Sequence, residues 1–392
     1  MLHSQPHQFE PLLPTLPQPD LDALAEEVCR KAFELKRLLH PDTEARIAKL
    51  LRSVNSYYSN RIEGQQTHPR DIERALRKSF SKEPGKARLQ RLALAHIRTQ
   101  EAMESQLAAD PAVPVFGAEF LKSLHKGFYG RLNPEDRKTE EGDEVVPGEL
   151  RQKDVTVGGH DAPAWQSVPL FLARAESVYS ATRGLSAKLI AIACAHHRLA
   201  WVHPFRDGNG RVVRLQSQAA LIQHGAGSAL WSVSRGLARD VKAYYDRLSD
   251  ADEPRRGDLD GRGNLSEKGL VSFATYFLAT CLDQVTFMGK MLDLATLRGR
   301  VQGYLVYLSQ QDKAIRAEAA PAMHYLFLTG SMPRGEFKQA TGLPSRTADR
   351  AIAALLARGL LESDSARGAV RFGLPLEALS FYFPMLYPEA AT

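Results

Sequence analysis

The chain has 392 residues, 44% hydrophobic and 24% charged, which is ordinary globular usage at a length where two or three domains are expected. Its 51 basic and 45 acidic residues leave a net charge of +6, too little to indicate nucleic acid by itself. Three distant cysteines, Cys29, Cys194 and Cys281, exclude a disulfide scaffold and a paired-cysteine metal site, and they suit a reducing compartment. The first twenty residues hold five prolines and no periodicity, and read as an extended arm. From Asp20, a plausible N-cap, apolar residues recur at helical spacing: Leu21, Leu24, Ala25, Val28, Ala32, Leu35, Leu38 and Leu39. Further helices are predicted over 42–58, 69–79, 86–107, 117–129, 167–182 and 186–201. Residues 60–92 carry nine basic and four acidic residues, read as a solvated helical face. The stretch 138–165 is polar and irregular apart from Asp154-Val155-Thr156-Val157, a short alternating strand closed by Gly158-Gly159. No apolar run reaches the length of a membrane span and no basic-then-apolar leader precedes the arm, so a cytoplasmic protein without a membrane role is expected.

The helical body is expected to run to about residue 292, broken by a polar loop at 251–268. Asp258, Asp260 and Gly263 there resemble a calcium loop. The twelfth position is Gly269 rather than Glu and the fifth is Arg262, which argues against calcium. Beyond residue 300 the pattern changes: a helix near 313–328, Gly335–Ala340, a turn at Thr341-Gly342-Leu343-Pro344, and a helix at 345–358 capped by Ser345. Gly359–Glu362 and Ala369–Phe372 follow as a hairpin. That order predicts a winged helix-turn-helix. Residues 321–392 hold seven basic and six acidic residues, so protein docking or dimerisation is favoured there over DNA.

Chemistry concentrates in His203-Pro204-Phe205-Arg206-Asp207-Gly208-Asn209-Gly210-Arg211-Val212-Val213-Arg214. Gly208-Asn209-Gly210 forms a turn before an apolar helix, and free N–H groups with the helix dipole make such a turn an anion site. Arg211 and Arg214 stand three apart on that helix and can both reach a phosphate. Asp207 offers a hard oxygen suited to Mg²⁺. His203 has a near-neutral pKa and can accept a proton from a hydroxyl. Together they predict phosphate transfer, without the P-loop lysine or the kinase motifs.

This segment matches HxFx(D/E)GNGRxxR and resembles the signature of the Fic family at every specified position. The resemblance implies a mainly helical fold with a short β-hairpin flap, divided here as an N-terminal region 1–110, a catalytic domain 111–298 and a winged-helix domain 299–392. It implies transfer of AMP from ATP to a Ser, Thr or Tyr hydroxyl of a target protein, with automodification. His203 would take the proton and Asp207 would hold Mg²⁺. Asn209 and the N–H groups near Gly208 and Gly210 would cradle the phosphates. Arg211 would bind phosphate, Arg214 the γ-phosphate, and Phe205 would anchor the loop. Val155, Thr156, Val157 and Gly158 would pair with the target's main chain. Ser234-Arg235, Tyr244 and Tyr245 resemble the segment beside the adenine. His196 is expected to pack behind the site.

Ser59-Asn60-Arg61-Ile62-Glu63-Gly64 resembles the family's inhibitory motif. The resemblance implies that Glu63 pairs with Arg214 and blocks the γ-phosphate site. Ser59, one turn earlier, would help hold Glu63, and Gly64 would end the helix. Removal of AMP from a modified protein, and a transcriptional regulator with a Fic sensor, remain alternatives. A homodimer and DNA binding stay open.

Overall fold

The computed structural model describes residues 3–139 and 141–387. Among the described residues helices account for 64% and strands for 4%, so the fold is mostly helical. The helices are α1 (Pro19–Lys36), α2 (Pro41–Ile62), α3 (Pro69–Leu76), α4 (Pro84–Ala109), α5 (Ala118–Tyr129), α6 (Val168–Ala181), α7 (Leu185–Val202), α8 (Asn209–Gln223), α9 (Val233–Arg239), α10 (Val241–Asp252) and α11 (Glu267–Met291). α12 (Leu294–Gln311), α13 (Ala320–Thr329), α14 (Arg334–Thr341), α15 (Ser345–Ala357) and α16 (Leu376–Tyr382) complete the set.

α1 shows why the periodicity was legible. Leu21, Ala25, Val28, Ala32 and Leu35 recur on one face and are all buried. That face packs on α7 and α11. Each large apolar side chain so buried contributes roughly 1.5–3 kcal/mol. The cap is not as expected: Gln18 is the N-cap, Pro19 and Asp20 lie inside the first turn, and no side chain caps the helix. Proline at N1 costs nothing, because its N–H would have no partner there.

One helix departs from the sequence expectation about membranes. α11 is long and apolar enough to span a bilayer by length and composition. In this fold it packs against α1, α7, α9 and α10, and Leu270, Phe273, Phe277, Leu278, Cys281 and Val285 are buried there. The arm before α1 also packs closely. Phe9 and Leu12 are buried, and the buried Arg198 donates to the carbonyls of Pro11 (3.1 Å) and Ala251 (3.1 Å).

α12 opens the C-terminal part of the chain. α12 packs on α13 and α16. Between them lie β3 (Ser331–Met332), α14, α15, β4 (Leu361–Glu362) and β5 (Val370–Phe372). The antiparallel sheet runs β3-β5-β4, with Ser331 opposite Arg371 and Leu361 opposite Phe372. Pro344, not Ser345, is the N-cap of α15; Ser345 is its first residue and makes no cap bond.

α2 is held along its length by this C-terminal region. The Thr43 hydroxyl donates to the Phe327 carbonyl (2.7 Å), and Arg46 pairs with Glu362. Near the other end, the Tyr58 hydroxyl donates to the Leu386 carbonyl (3.2 Å), and the rings of Tyr57 and Tyr387 meet edge to face at 5.1 Å. One continuous apolar core runs from Phe9 to Tyr387.

Candidate active site

Two helix ends and one helix start make the site. α7 ends at Val202, and His203 caps it in the left-handed region (φ 48°, ψ 62°). A histidine there carries strain of order 1–3 kcal/mol, held only if its surroundings fix it. Arg151 does the fixing. Its buried guanidinium donates to the carbonyls of His203 (2.8 Å), Lys153 (3.0 Å) and Pro163. One side chain therefore ties the base of the flap to the backbone of His203. Burial, with the Arg151 cation beside it, pulls the imidazole of His203 down to about 4. At neutral pH it carries no charge and can accept a proton.

Residues 205–208 turn the chain into α8. Phe205 is buried and stacks on His125 at 4.1 Å with the rings 8° from parallel, the anchoring expected of it. Gly208 is the N-cap of α8 at φ 80°, where a side chain would also run into the Tyr129 ring. The Asn209 amide does something other than cradle phosphate. It accepts from the Phe205 N–H (2.8 Å) and donates to the Phe205 carbonyl (2.8 Å). Asn209 thus staples the loop, and the N–H groups of the first turn of α8 are the donors an anion there could use.

Asp207 is held on both oxygens. Its Oδ1 accepts from the Gly208 N–H (2.6 Å) and its Oδ2 from the Tyr129 hydroxyl (2.6 Å). Burial would push its carboxyl up. The Arg211 cation and these two donors overcome that and hold it below its ordinary value. Arg211 is buried, donates to the Tyr129 hydroxyl (3.0 Å) and to Gln65 Oε1 (3.0 Å), and lies over the Phe128 ring at 4.7 Å.

The third part is the C-terminus of α2. Gly64 takes φ 72°. Its N–H donates to the Arg61 carbonyl (3.0 Å) and the Gln65 N–H to the Asn60 carbonyl (2.9 Å). That is a Schellman cap, the closure that a glycine at this position permits. The cap delivers Glu63 onto α8: Glu63 Oε1 lies 2.5 Å from an Arg214 terminal nitrogen and directly over Gly210, in the path of any side chain there. A carboxylate thus occupies the positive end of α8. Ser59 serves Arg214 rather than Glu63: its hydroxyl accepts from Arg214 Nε (2.9 Å) and its carbonyl from a terminal nitrogen (3.0 Å). With Gln65 on Arg211, the end of α2 engages both arginines in the first turns of α8.

The adenine expectation divides. Tyr244 is 2% exposed, and its hydroxyl bonds His196 Nε2 (2.8 Å) and reaches the Arg214 guanidinium, so its ring lies in the core behind Arg214. His196 Nδ1 meets the Ser217 hydroxyl (2.8 Å), which places His196 behind the site. Tyr245 is 47% exposed, and its hydroxyl reaches the Ile62 carbonyl (3.2 Å) at the end of α2. Arg235 lies elsewhere: it donates to the Met385 carbonyl (2.8 Å) and Gln284 (3.0 Å), over the Phe287 ring at 3.7 Å.

The flap is a hairpin of β1 (Thr156–Val157) and β2 (His160–Asp161) turning at Gly158-Gly159. Val155 lies outside β1 but extends the pairing through its carbonyl, which accepts from the Ala162 N–H (3.2 Å). β1 pairs with β2 alone, so its other edge is open among the described residues. Sequence reasoning did not single out His125, Tyr129 or Gln65. The i,i+4 spacing of the first two within the predicted helix 117–129 was the available signal.

Residues 115–221 match the profile of the Fic/DOC family. Two curated relatives share the name Protein adenylyltransferase Fic. The one from Culex quinquefasciatus is 32% identical over 140 residues, 36% of this chain and 24% of the relative. The one from Drosophila ananassae is 31% identical over 106 residues, 27% and 19% respectively. The chain thus matches about a quarter or less of their length. Among solved structures, a Fic family protein from Desulfovibrio desulfuricans G20 aligns over 92% of this chain and 98% of its own, at TM-score 0.52 and 18% identity. Fic-1 (residues 134–508) from C. elegans aligns over 69% and 72%, also at 0.52 and 18%. At such identity these two show the fold alone.

Proposed function

We propose that this chain, which carries a Fic domain, is an autoinhibited protein adenylyltransferase. The acceptor is a Ser, Thr or Tyr hydroxyl of a protein. Its oxygen attacks the α-phosphorus of ATP, the bond from that phosphorus to the α–β bridging oxygen breaks, and diphosphate leaves. His203 takes the hydroxyl proton on its neutral imidazole. The N–H groups opening α8, with Arg211, stabilise the charge developing on the phosphates. The open edge of β1 would receive the target's main chain as an added strand and align its hydroxyl. The observation that carries the reading is the loop 203–214 itself, folded with a neutral His203 beside an anion site at the start of α8.

Asp207 is the residue that would hold Mg²⁺ on the nucleotide. Its carboxylate is 39% exposed and fixed in place. One carboxylate completed by substrate phosphates and water suits Mg²⁺. The ion would neutralise phosphate charge.

Glu63 is the brake. Its carboxylate takes the partner that a γ-phosphate needs, Arg214, so ATP binds with its phosphates displaced and basal transfer is low. For residues 294–387 we propose a winged helix, from the element order α13-β3-α14-α15-β4-β5 and the sheet order β3-β5-β4.

The test is intact mass after incubation with ATP and Mg²⁺ of wild type, Glu63→Gly and His203→Ala. The expected result is a gain of AMP in Glu63→Gly, little in wild type and none in His203→Ala. A phosphate-sized gain would overturn adenylyl transfer. If no variant gains mass, AMP-modified proteins as substrates test the reverse reaction.

A further inference from the structure

We propose that Tyr129, together with His125 one turn before it on α5, is a positioning residue for Asp207 and so for the divalent ion the nucleotide brings. This rests on the adenylyl-transfer reading and adds to it the residues that aim the ion's ligand. Three contacts converge on Tyr129. Its hydroxyl donates to Asp207 Oδ2 (2.6 Å) and accepts from Arg211 (3.0 Å), so one oxygen spaces the Asp207 carboxylate from the Arg211 guanidinium. Its ring lies where the side chain of any residue at 208 would start, with a Cβ there only 2.7 Å from the ring. The ring therefore fits only against a bare backbone, and Gly208 supplies one in the left-handed conformation that starts α8.

His125 completes the hold. Its Nδ1 accepts from the Gly148 N–H (2.8 Å), so the ring hydrogen sits on Nε2, which faces the Asp207 carbonyl at 3.2 Å. The same ring stacks on Phe205 and lies 4.6 Å from Tyr129. Asp207 is thus fixed through its main chain by His125 and through its carboxylate by Tyr129, both projecting from one face of one helix. Ligands of a metal are ordinarily oriented by partners of this kind. Tyr129 and His125 are both buried and act through Asp207.

The experiment uses the full chain with Glu63→Gly as parent. Free Mn²⁺ is read by electron paramagnetic resonance in the presence of an ATP analogue with a methylene between the α- and β-phosphorus atoms. Nucleotide binding without metal is read by calorimetry, and folding by thermal melting. Tyr129→Phe, which keeps the ring, is expected to weaken Mn²⁺ binding about tenfold or more. Metal-free nucleotide affinity should hold within twofold, and high Mn²⁺ should restore AMP transfer. In an Asp207→Ala parent the same change is expected to have no further effect on Mn²⁺, because the group it positions is gone. Unchanged Mn²⁺ binding in an active parent would overturn the proposal, as would an equal loss of metal-free nucleotide binding. If Tyr129→Phe melts early, His125→Gln carries the same test, and unchanged Mn²⁺ binding there would overturn it too. A parent that binds Mn²⁺-nucleotide yet transfers no AMP to itself or to any target would instead sink the adenylyl-transfer reading.

Discussion

Removing Glu63 should loosen the apo protein and tighten ATP at once. Arg214 is buried, with a side chain 2% exposed, and one of its nitrogens lies 2.5 Å from the Glu63 carboxylate. Stripping the partner from a buried pair costs about 3–5 kcal/mol, because the remaining charge is left uncompensated. The Glu63 side chain is 22% exposed, so water screens part of the pair, and Ser59 keeps its two bonds to Arg214. We therefore expect Glu63→Gly to lose about 2–3 kcal/mol. For a chain of this length that is a drop of roughly 2–4 °C in the midpoint of melting. ATP should return about what was lost. A γ-phosphate that no longer competes with the carboxylate gains about the same 2–3 kcal/mol, or roughly 30- to 150-fold in Kd. ADP lacks that phosphate and should gain much less. Scanning calorimetry with and without each nucleotide, and titration calorimetry of both, read these effects. If Glu63→Gly melts like wild type, or if ATP and ADP tighten equally, Glu63 does not compete for the γ-phosphate site and the reasoning fails.

In the Glu63→Gly protein, AMP transfer should be nearly flat from pH 5 to 8. His203 titrates near 4, so the base stays neutral above that; an acid limb centred near 6.5 would remove it as the base. Burial also lowers His96 to about 3 and His125 to about 4. The unfolded chain therefore binds more protons than the folded one below about pH 6.5, and stability should fall by a few kcal/mol as pH drops from there to 4. Denaturant midpoints that stay level across that window would contradict this. Arg151→Met leaves the carbonyls of His203, Lys153 and Pro163 without a donor, and should cost about 3 kcal/mol or more together with most AMP transfer; a fully active variant of unchanged midpoint would show that His203 does not need this support. Arg235→Ala should release residues 383–387. Hydrogen exchange should then rise there and in the last turns of α2, whose Tyr58 bonds Leu386, and exchange confined to α9 would show that the segment is held by other contacts.

The loop and the helices were legible in the order of residues alone. An anion site needs glycines, a helix start and arginines at fixed spacing, and all of them lie within residues 203–214. Helical cores repeat every three to four residues, so α1 was legible to within a few residues at each end. Gly64 announced the cap that aims Glu63, because few other residues take φ 72°. Which groups meet across long stretches of chain follows only from how the helices pack. Tyr129 lies 78 residues before Asp207 and Gln65 lies 146 before Arg211, and no periodicity encodes such pairings. The same holds for Tyr244 and Tyr245. Adjacent residues on a helix point about 100° apart, and the packing of α10 on α7 and α11 put one ring in the core and left the other at the end of α2. Asn209 and Ser59 carry the right chemistry for the expected partners, but the folded chain set each beside a different one: the Phe205 backbone and Arg214. Residue type fixes what a side chain can bond, and the fold fixes which partner comes within reach.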